Sequence, residues 1–112
     1  VGTWYLQVSG SLYFAAAKAL PGQVLEALPA DCRELHIDFA HAHQLRMSAA
    51  IALRELADDL QQKDVRVWYG NFGTQFTELL DRSGILLPIR DWHLERQLIE
   101  HHDNYSGPKG VN

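Results

Sequence analysis

The densest run of chemistry-bearing side chains is His36-Ile37-Asp38-Phe39-Ala40-His41-Ala42-His43. Imidazole and carboxylate are metal ligands. On an extended chain His36 and Asp38 share one face, and His41 and His43, read as loop residues, could fold back toward them. The pattern stops short of a metal motif, because it has no HExxH spacing and no cysteine beside it. His36, Asp38, His41 and His43 are therefore weak metal candidates, and the expectation is no metal and no cofactor. His101-His102 is weaker still. Cys32 is alone, which excludes an intrachain disulfide and a cysteine cluster. A small half-buried thiol before a strand accounts for it better than a catalytic dyad. Gly-x-Ser-x-Gly, GxGxxG and Walker patterns are all missing, and Asp58-Asp59 reads as a solvated helix face. No set of reactive groups adds up to an enzyme.

Arg46-Met47-Ser48-Ala49 is the second cluster. A cation at the start of a helix is disfavoured by about 0.3–1 kcal/mol relative to an anion. The same free N–H groups beside a guanidinium make a ready anion site. Arg46, Ser48 and Ala49 could thus hold a phosphate, a nucleotide or a small oxyanion. The plainer reading has Arg46 extending into water or pairing with Glu34 or Asp38. Ile51 lies about 200° around the helical wheel from Ala49, on the charged side. Met47 and Ile51, bordered by Arg54 and Glu55, would suit a protein contact, unless the next loop covers them.

These residues are positioned by a regular alternation of elements. Trp4 to Val8 is rich in β-formers, Ser9-Gly10 supplies a turn, and Leu12 to Phe14 continues as a second strand of a hairpin. Ala15 to Leu20 favours helix; Pro21 either kinks it or opens a segment running to Leu28. Glu34 to Phe39 is a buried strand with Leu35, Ile37 and Phe39 on one face. From Ser48, a plausible N-cap, to Gln62, the residues Ala49, Ala52, Leu53, Leu56, Ala57 and Leu60 form one apolar helical stripe. Val65 to Tyr69 is a strand, Phe76 to Arg82 a helix stopped by Ser83-Gly84, and Ile85 to Ile89 an edge strand. Trp92 to His101 is a last helix, with Trp92, Leu94, Leu98 and Ile99 as core cover. Such an order predicts one α/β domain with parallel strand pairs and helices packed on the sheet.

At 112 residues the chain can bury about two thirds of the surface its unfolded form exposes. Its net charge of −4 gives no electrostatic reason to expect nucleic acid or an anionic membrane surface. No apolar run approaches the ~18–20 residues that span a bilayer. Beginning at Val1 in what already reads as a strand, the sequence looks like an excised fragment of a longer protein.

Gly10-Ser11-Leu12-Tyr13-Phe14-Ala15 resembles the glycine–leucine–phenylalanine strand of STAS domains at the carboxyl end of SulP (sulfate permease) anion transporters. Arg46-Met47-Ser48-Ala49-Ala50 is similar to the Asp-x-Ser/Thr-Gly/Ala turn that opens the central helix of STAS proteins. Asn71-Phe72 and Leu79 to Ile85 look like the family's later strand exit and its leucine–serine–glycine helix end. The resemblance runs from roughly Tyr5 to Ile85. It departs at Ala16, where the family frequently has Asn, and at Arg46, where it usually has Asp. In anti-sigma-factor antagonists of the same fold the following residue is a phosphorylated serine; here it is Met47, which has no hydroxyl to modify.

The resemblance implies a STAS-like α/β fold, a mixed four- to five-stranded sheet flanked by helices, over residues 1–102, with 103–112 a disordered tail. It implies a non-enzymatic regulatory and assembly domain on the cytoplasmic face of the membrane, part of a transporter for sulfate or a similar anion. Its partners would be the transmembrane domain of the same chain, a protein regulator, and a nucleotide or small anion, with oligomers formed through the intact transporter. The ligand or partner surface would be Arg46, Met47, Ser48, Ala49, Ile51 and Arg54. The competing assignment is a free-standing antagonist-like regulator lacking the usual phosphoserine.

Overall fold

Three short runs of alternating apolar residues, each followed by a helix whose apolar stripe must be covered, dictate the architecture. The computed structural model describes residues 2–90. In chain order the elements are β1 (Thr3–Ser11), α1 (Phe14–Ala27), β2 (Glu34–His43), α2 (Met47–Gln62), β3 (Arg66–Gly70) and α3 (Thr74–Ser83). The strands lie in the order β1-β2-β3 and both pairings are parallel. Two crossovers of one hand that step in one direction put their helices on the same side of a sheet. Accordingly α1 and α2 pack against each other.

Register explains the core. Trp4, Leu35 and Val67 are aligned across the sheet, as are Leu6, Ile37 and Tyr69. With Val8 and Phe39, these side chains meet Leu20 and Val24 of α1 and the predicted stripe of α2. All six stripe residues are buried, joined by Ala50. Burying a Leu, Val or Ile side chain contributes about 1.5–3 kcal/mol, so this face supplies most of the folding drive. On the opposite face Tyr5, His36 and Trp68 are aligned, with Gln7 beside Asp38.

The expected hairpin at Ser9-Gly10 does not form. Gly10 takes a positive φ of 89°, but β1 runs through it to Ser11. Leu12 to Phe14 is then the turn into α1: the Leu12 N–H donates to the His43 carbonyl, and Phe14 is already helical. The turn cue was genuine at the level of backbone conformation, while a distant parallel partner decided the direction of the chain. Among the described residues no strand pairing is antiparallel, so the mixed character expected of the sheet does not come from this segment.

Pro21 lies inside α1 rather than at its start, and Val65 stops one residue short of β3. Beyond β3, the Tyr69 N–H donates to the Pro88 carbonyl and the Arg90 N–H to the Tyr69 carbonyl. This parallel bridge at Ile89 is what appears of the expected edge strand. Gly84, with φ 74°, closes α3 by donating its N–H to Leu80, as the Ser83-Gly84 signal predicts. The helix expected over Trp92 to His101, the tail over 103–112 and the boundary at 102 lie outside the described residues.

One irregularity shapes the carboxyl end of β2. Gln7 pairs with Asp38 but Ser9 pairs with His41, so Phe39 and Ala40 together oppose Val8 in a β-bulge. The Asp38 carboxylate fixes it by accepting the Ala40 N–H at 2.9 Å and the Asn71 side-chain amide at 2.9 Å. β2 continues five residues past its last pairing with β3, with β1 as its one remaining strand neighbour.

Candidate functional site

The metal candidates separate into two unlike pairs. His36 is buried, its Nε2 is 2.9 Å from the Glu34 carboxylate, and its ring stacks on Tyr5 with centroids 4.7 Å apart. Asp38 is buried in the bulge hydrogen bonds. Those groups hold the sheet together. His41 and His43 are strand residues rather than the loop residues the sequence implied, and both are exposed. Among the described residues no three or more His, Cys, Asp or Glu side chains converge on a common point.

At the start of α2, the residue in the N-cap position is Arg46, not Ser48. The helix begins at Met47, so Ser48 lies inside its first turn and does not cap it. Arg46 accepts the Ala49 and Ala50 N–H groups on its backbone carbonyl, and its side chain makes no capping bond. It does not reach Glu34, which lies at the far end of β2, and Asp38 is engaged in the bulge. Among the described residues the exposed Arg46 guanidinium makes no ion pair.

Met47 and Ile51 are 44% and 47% exposed one turn apart on α2. The next loop does not cover them. Tyr13 and Phe14, which open α1 at the same end of the parallel sheet, are 61% and 59% exposed. Four of the six large exposed apolar side chains among the described residues therefore sit where strands of one sheet hand over to helices. Lys18 lies over the Phe14 ring at 5.3 Å. Sequence reasoning took Tyr13 and Phe14 for strand residues and so missed them; their place next to a helix start was the signal.

Arg54 does not belong to that surface. Its guanidinium donates to the Leu86 carbonyl and, at 2.6 Å, to Asp58 one turn on. It latches α2 to the segment after α3. That latch borders a groove of about 850 Å³ along the amino ends of the strands, where Arg33 and Arg66 are set among Glu34 and Asp64. Acids balance the arginines there, so the groove has no strong preference for an anion. Nothing in the sequence pattern announced it, because its walls come from segments far apart in the chain.

Buried groups elsewhere serve the frame. Tyr69 donates its hydroxyl to the Leu53 carbonyl at 2.7 Å and packs edge-on against Phe39. Burial raises its pKa well above the ordinary phenol value. Burial likewise pushes the Cys32 thiol up, the opposite of what a nucleophile needs.

The comparisons with known proteins agree with this frame. The STAS domain of a SulP transporter from Vibrio cholerae superposes with a TM-score of 0.60 at 14% identity, over 91% of this chain and 85% of that one. A sulfate transporter family protein from Wolinella succinogenes superposes with a TM-score of 0.69 at 16% identity, over 91% and 86%. No curated protein matches the chain in sequence. The family model for the STAS domain matches residues 2–98. With that match spanning most of its length, the chain belongs to the STAS domain family.

Proposed function

We propose that this chain is the cytoplasmic regulatory and assembly domain of a SulP-type transporter for sulfate or a related anion. The observation that carries the reading is the exposed pair Met47 and Ile51 on the first two turns of a well-packed helix. An apolar pair held on a rigid element is suited to docking, because the backbone that carries it has little freedom left to lose on contact. The partner is the membrane domain of the same transporter or a protein regulator, and oligomers arise through the intact transporter. Contact at this surface regulates transport only if it differs between two states of the transporter, since a partner shifts an equilibrium by its differential affinity. Two further features support a small anion or a nucleotide phosphate as a ligand at the same end. The Arg46 side chain makes no ion pair among the described residues, and the Met47 and Ser48 N–H groups open the helix without a side-chain cap. Ser48 would line that ligand, while Ala49, buried with its N–H given to the Arg46 carbonyl, and Arg54, held by Asp58 and Leu86, would stay out of it.

No helix of the described residues is long and apolar enough to cross a membrane, so any transport path is made by other segments. The free-standing regulator is the weaker assignment, because Met47 replaces the serine on which an antagonist switch would turn. The intact reading frame tests the choice. Upstream apolar segments of about 20 residues, fused in frame, would support the transporter reading. A start codon immediately before Val1 would hand the assignment to the free-standing regulator. In the intact transporter reconstituted in liposomes, Met47→Glu with Ile51→Glu is expected to change sulfate uptake several-fold with insertion unaltered. Unchanged uptake would dismiss the docking surface.

A further inference from the structure

We propose that His41 and His43 form a two-histidine chelate for a divalent transition-metal ion of the Cu²⁺, Ni²⁺ and Zn²⁺ class. Three features of the ribbon beyond the bulge carry this. The first is direction. His41 pairs with Ser9 and His43 with Ser11, so the two histidines are alternate residues of one strand and leave the same face of it. Alternate strand residues are about 6.6 Å apart along the chain, a span that two imidazoles leaning inward close onto one ion at about 2.0–2.1 Å.

The second is space. The cross-strand neighbours on that face are serines, and on the other flank β3 has already ended at Gly70, opposite Asp38. Bulky side chains therefore do not crowd the rings from either paired neighbour. The third is freedom. His36 is engaged by Glu34 and Tyr5, whereas neither His41 nor His43 makes a side-chain hydrogen bond or ion pair among the described residues. Their nitrogens are open to a metal. Two protein donors leave the remaining coordination positions to water, or to a donor group on whatever docks beside the start of α2. Arg46, three residues on, repels a cation and weakens the site without changing its ligands.

Ligand field and ligand softness order the candidates, with Cu²⁺ binding most tightly and Zn²⁺ and Ni²⁺ behind it. A metal competes with protons for each imidazole nitrogen, so affinity is expected to fall in acid.

The test is a titration of the full chain with Ni²⁺ and with Zn²⁺ by calorimetry, read together with amide spectra in which paramagnetic Ni²⁺ broadens nearby signals. The expected result is one site, with broadening centred on residues 41–43. His41→Ala and His43→Ala should each lower affinity at least tenfold, since a chelate needs both rings. A His101→Ala/His102→Ala variant should bind as the parent does. The proposal is overturned if either single variant at 41 or 43 keeps the parent affinity, or if broadening centres on 101–102. Circular dichroism on each variant separates loss of a ligand from loss of fold.

Discussion

The two halves of β2 contain the same kinds of side chain and do opposite things with them. From Glu34 to Asp38 the strand is paired on both sides, and a histidine and an aspartate are buried in fixed hydrogen bonds. Past the bulge, from His41 to His43, it is paired only with β1, and its two histidines meet solvent. A residue type is therefore a poor guide to chemistry until the number of flanking strands is known. Where neighbours lie on both sides, polar groups hold the frame; past the last neighbour they are available to bind.

That contrast can be broken most forcefully in the first half. Ile37→Ala, which empties space between Leu6 and Tyr69 in the buried row, is expected to cost about 2–5 kcal/mol in a urea titration. An effect below 1 kcal/mol would mean that the row is not the core. Asp38→Ala should cost about 1–3 kcal/mol, because the Ala40 and Asn71 donors lose their acceptor. A double-mutant cycle with Asn71→Ala sharpens this: the two changes should cost clearly less together than their sum, as expected for residues in direct contact.

Tyr69→Phe should cost about 1 kcal/mol at neutral pH, through the hydrogen bond to Leu53. It also has a pH signature. Folding holds a proton on Tyr69 that the unfolded chain gives up near pH 10. The associated stability is complete below that pH and declines above it by about 1.4 kcal/mol per unit, until the folded phenol itself ionises. The Cys32 thiol, also raised by burial, adds to alkaline sensitivity in the same sense. Thermal melts between pH 8 and pH 11 should fall less steeply for Tyr69→Phe than for the parent. Equal slopes would refute the buried, protonated phenol.

In the second half the same scale of change should do almost nothing to stability. His41→Ala and His43→Ala are expected to stay within about 0.5 kcal/mol of the parent in the absence of metal. Losses as large as that of Asp38→Ala would place these rings in the frame after all and erase the distinction.

The parts legible in the sequence were those set by local periodicity. The stripe from Ala49 to Leu60, the inward set Leu35, Ile37 and Phe39, and the stop at Gly84 follow from spacing and one left-handed glycine. The parts that were not legible depend on residues remote in the chain. Gly10 looked like a reversal because its conformation suits one, but β1 is held straight by β2, some thirty residues on. Arg54 looked like rim charge, and only its contact with Leu86, 32 residues away, makes it a latch. Asp38 was a weak ligand candidate, and its bond to Asn71, 33 residues away, together with the one to Ala40, shows it to be a brace. The α2 surface fell between these cases. The wheel put Ile51 outward correctly, but the cap moved two residues, from Ser48 to Arg46.

The bulge at Phe39–Ala40 also bears on how such a surface is inherited. Side chains alternate across a strand with a period of two, so a single-residue slip exchanges its faces. Were Ala40 drawn into the regular ladder opposite Ser9, His41 would pair with Gly10 and His43 with Leu12, turning both rings toward the helices and Ala42 toward solvent. The extra residue of the bulge therefore keeps both histidines outward, and deleting Ala40, which restores regular pairing, would leave His41 opposite Ser9 and His43 opposite Ser11. Descendants of such a strand could lose that one residue and still present the same face, whereas straightening the bulge with Ala40 retained would bury it.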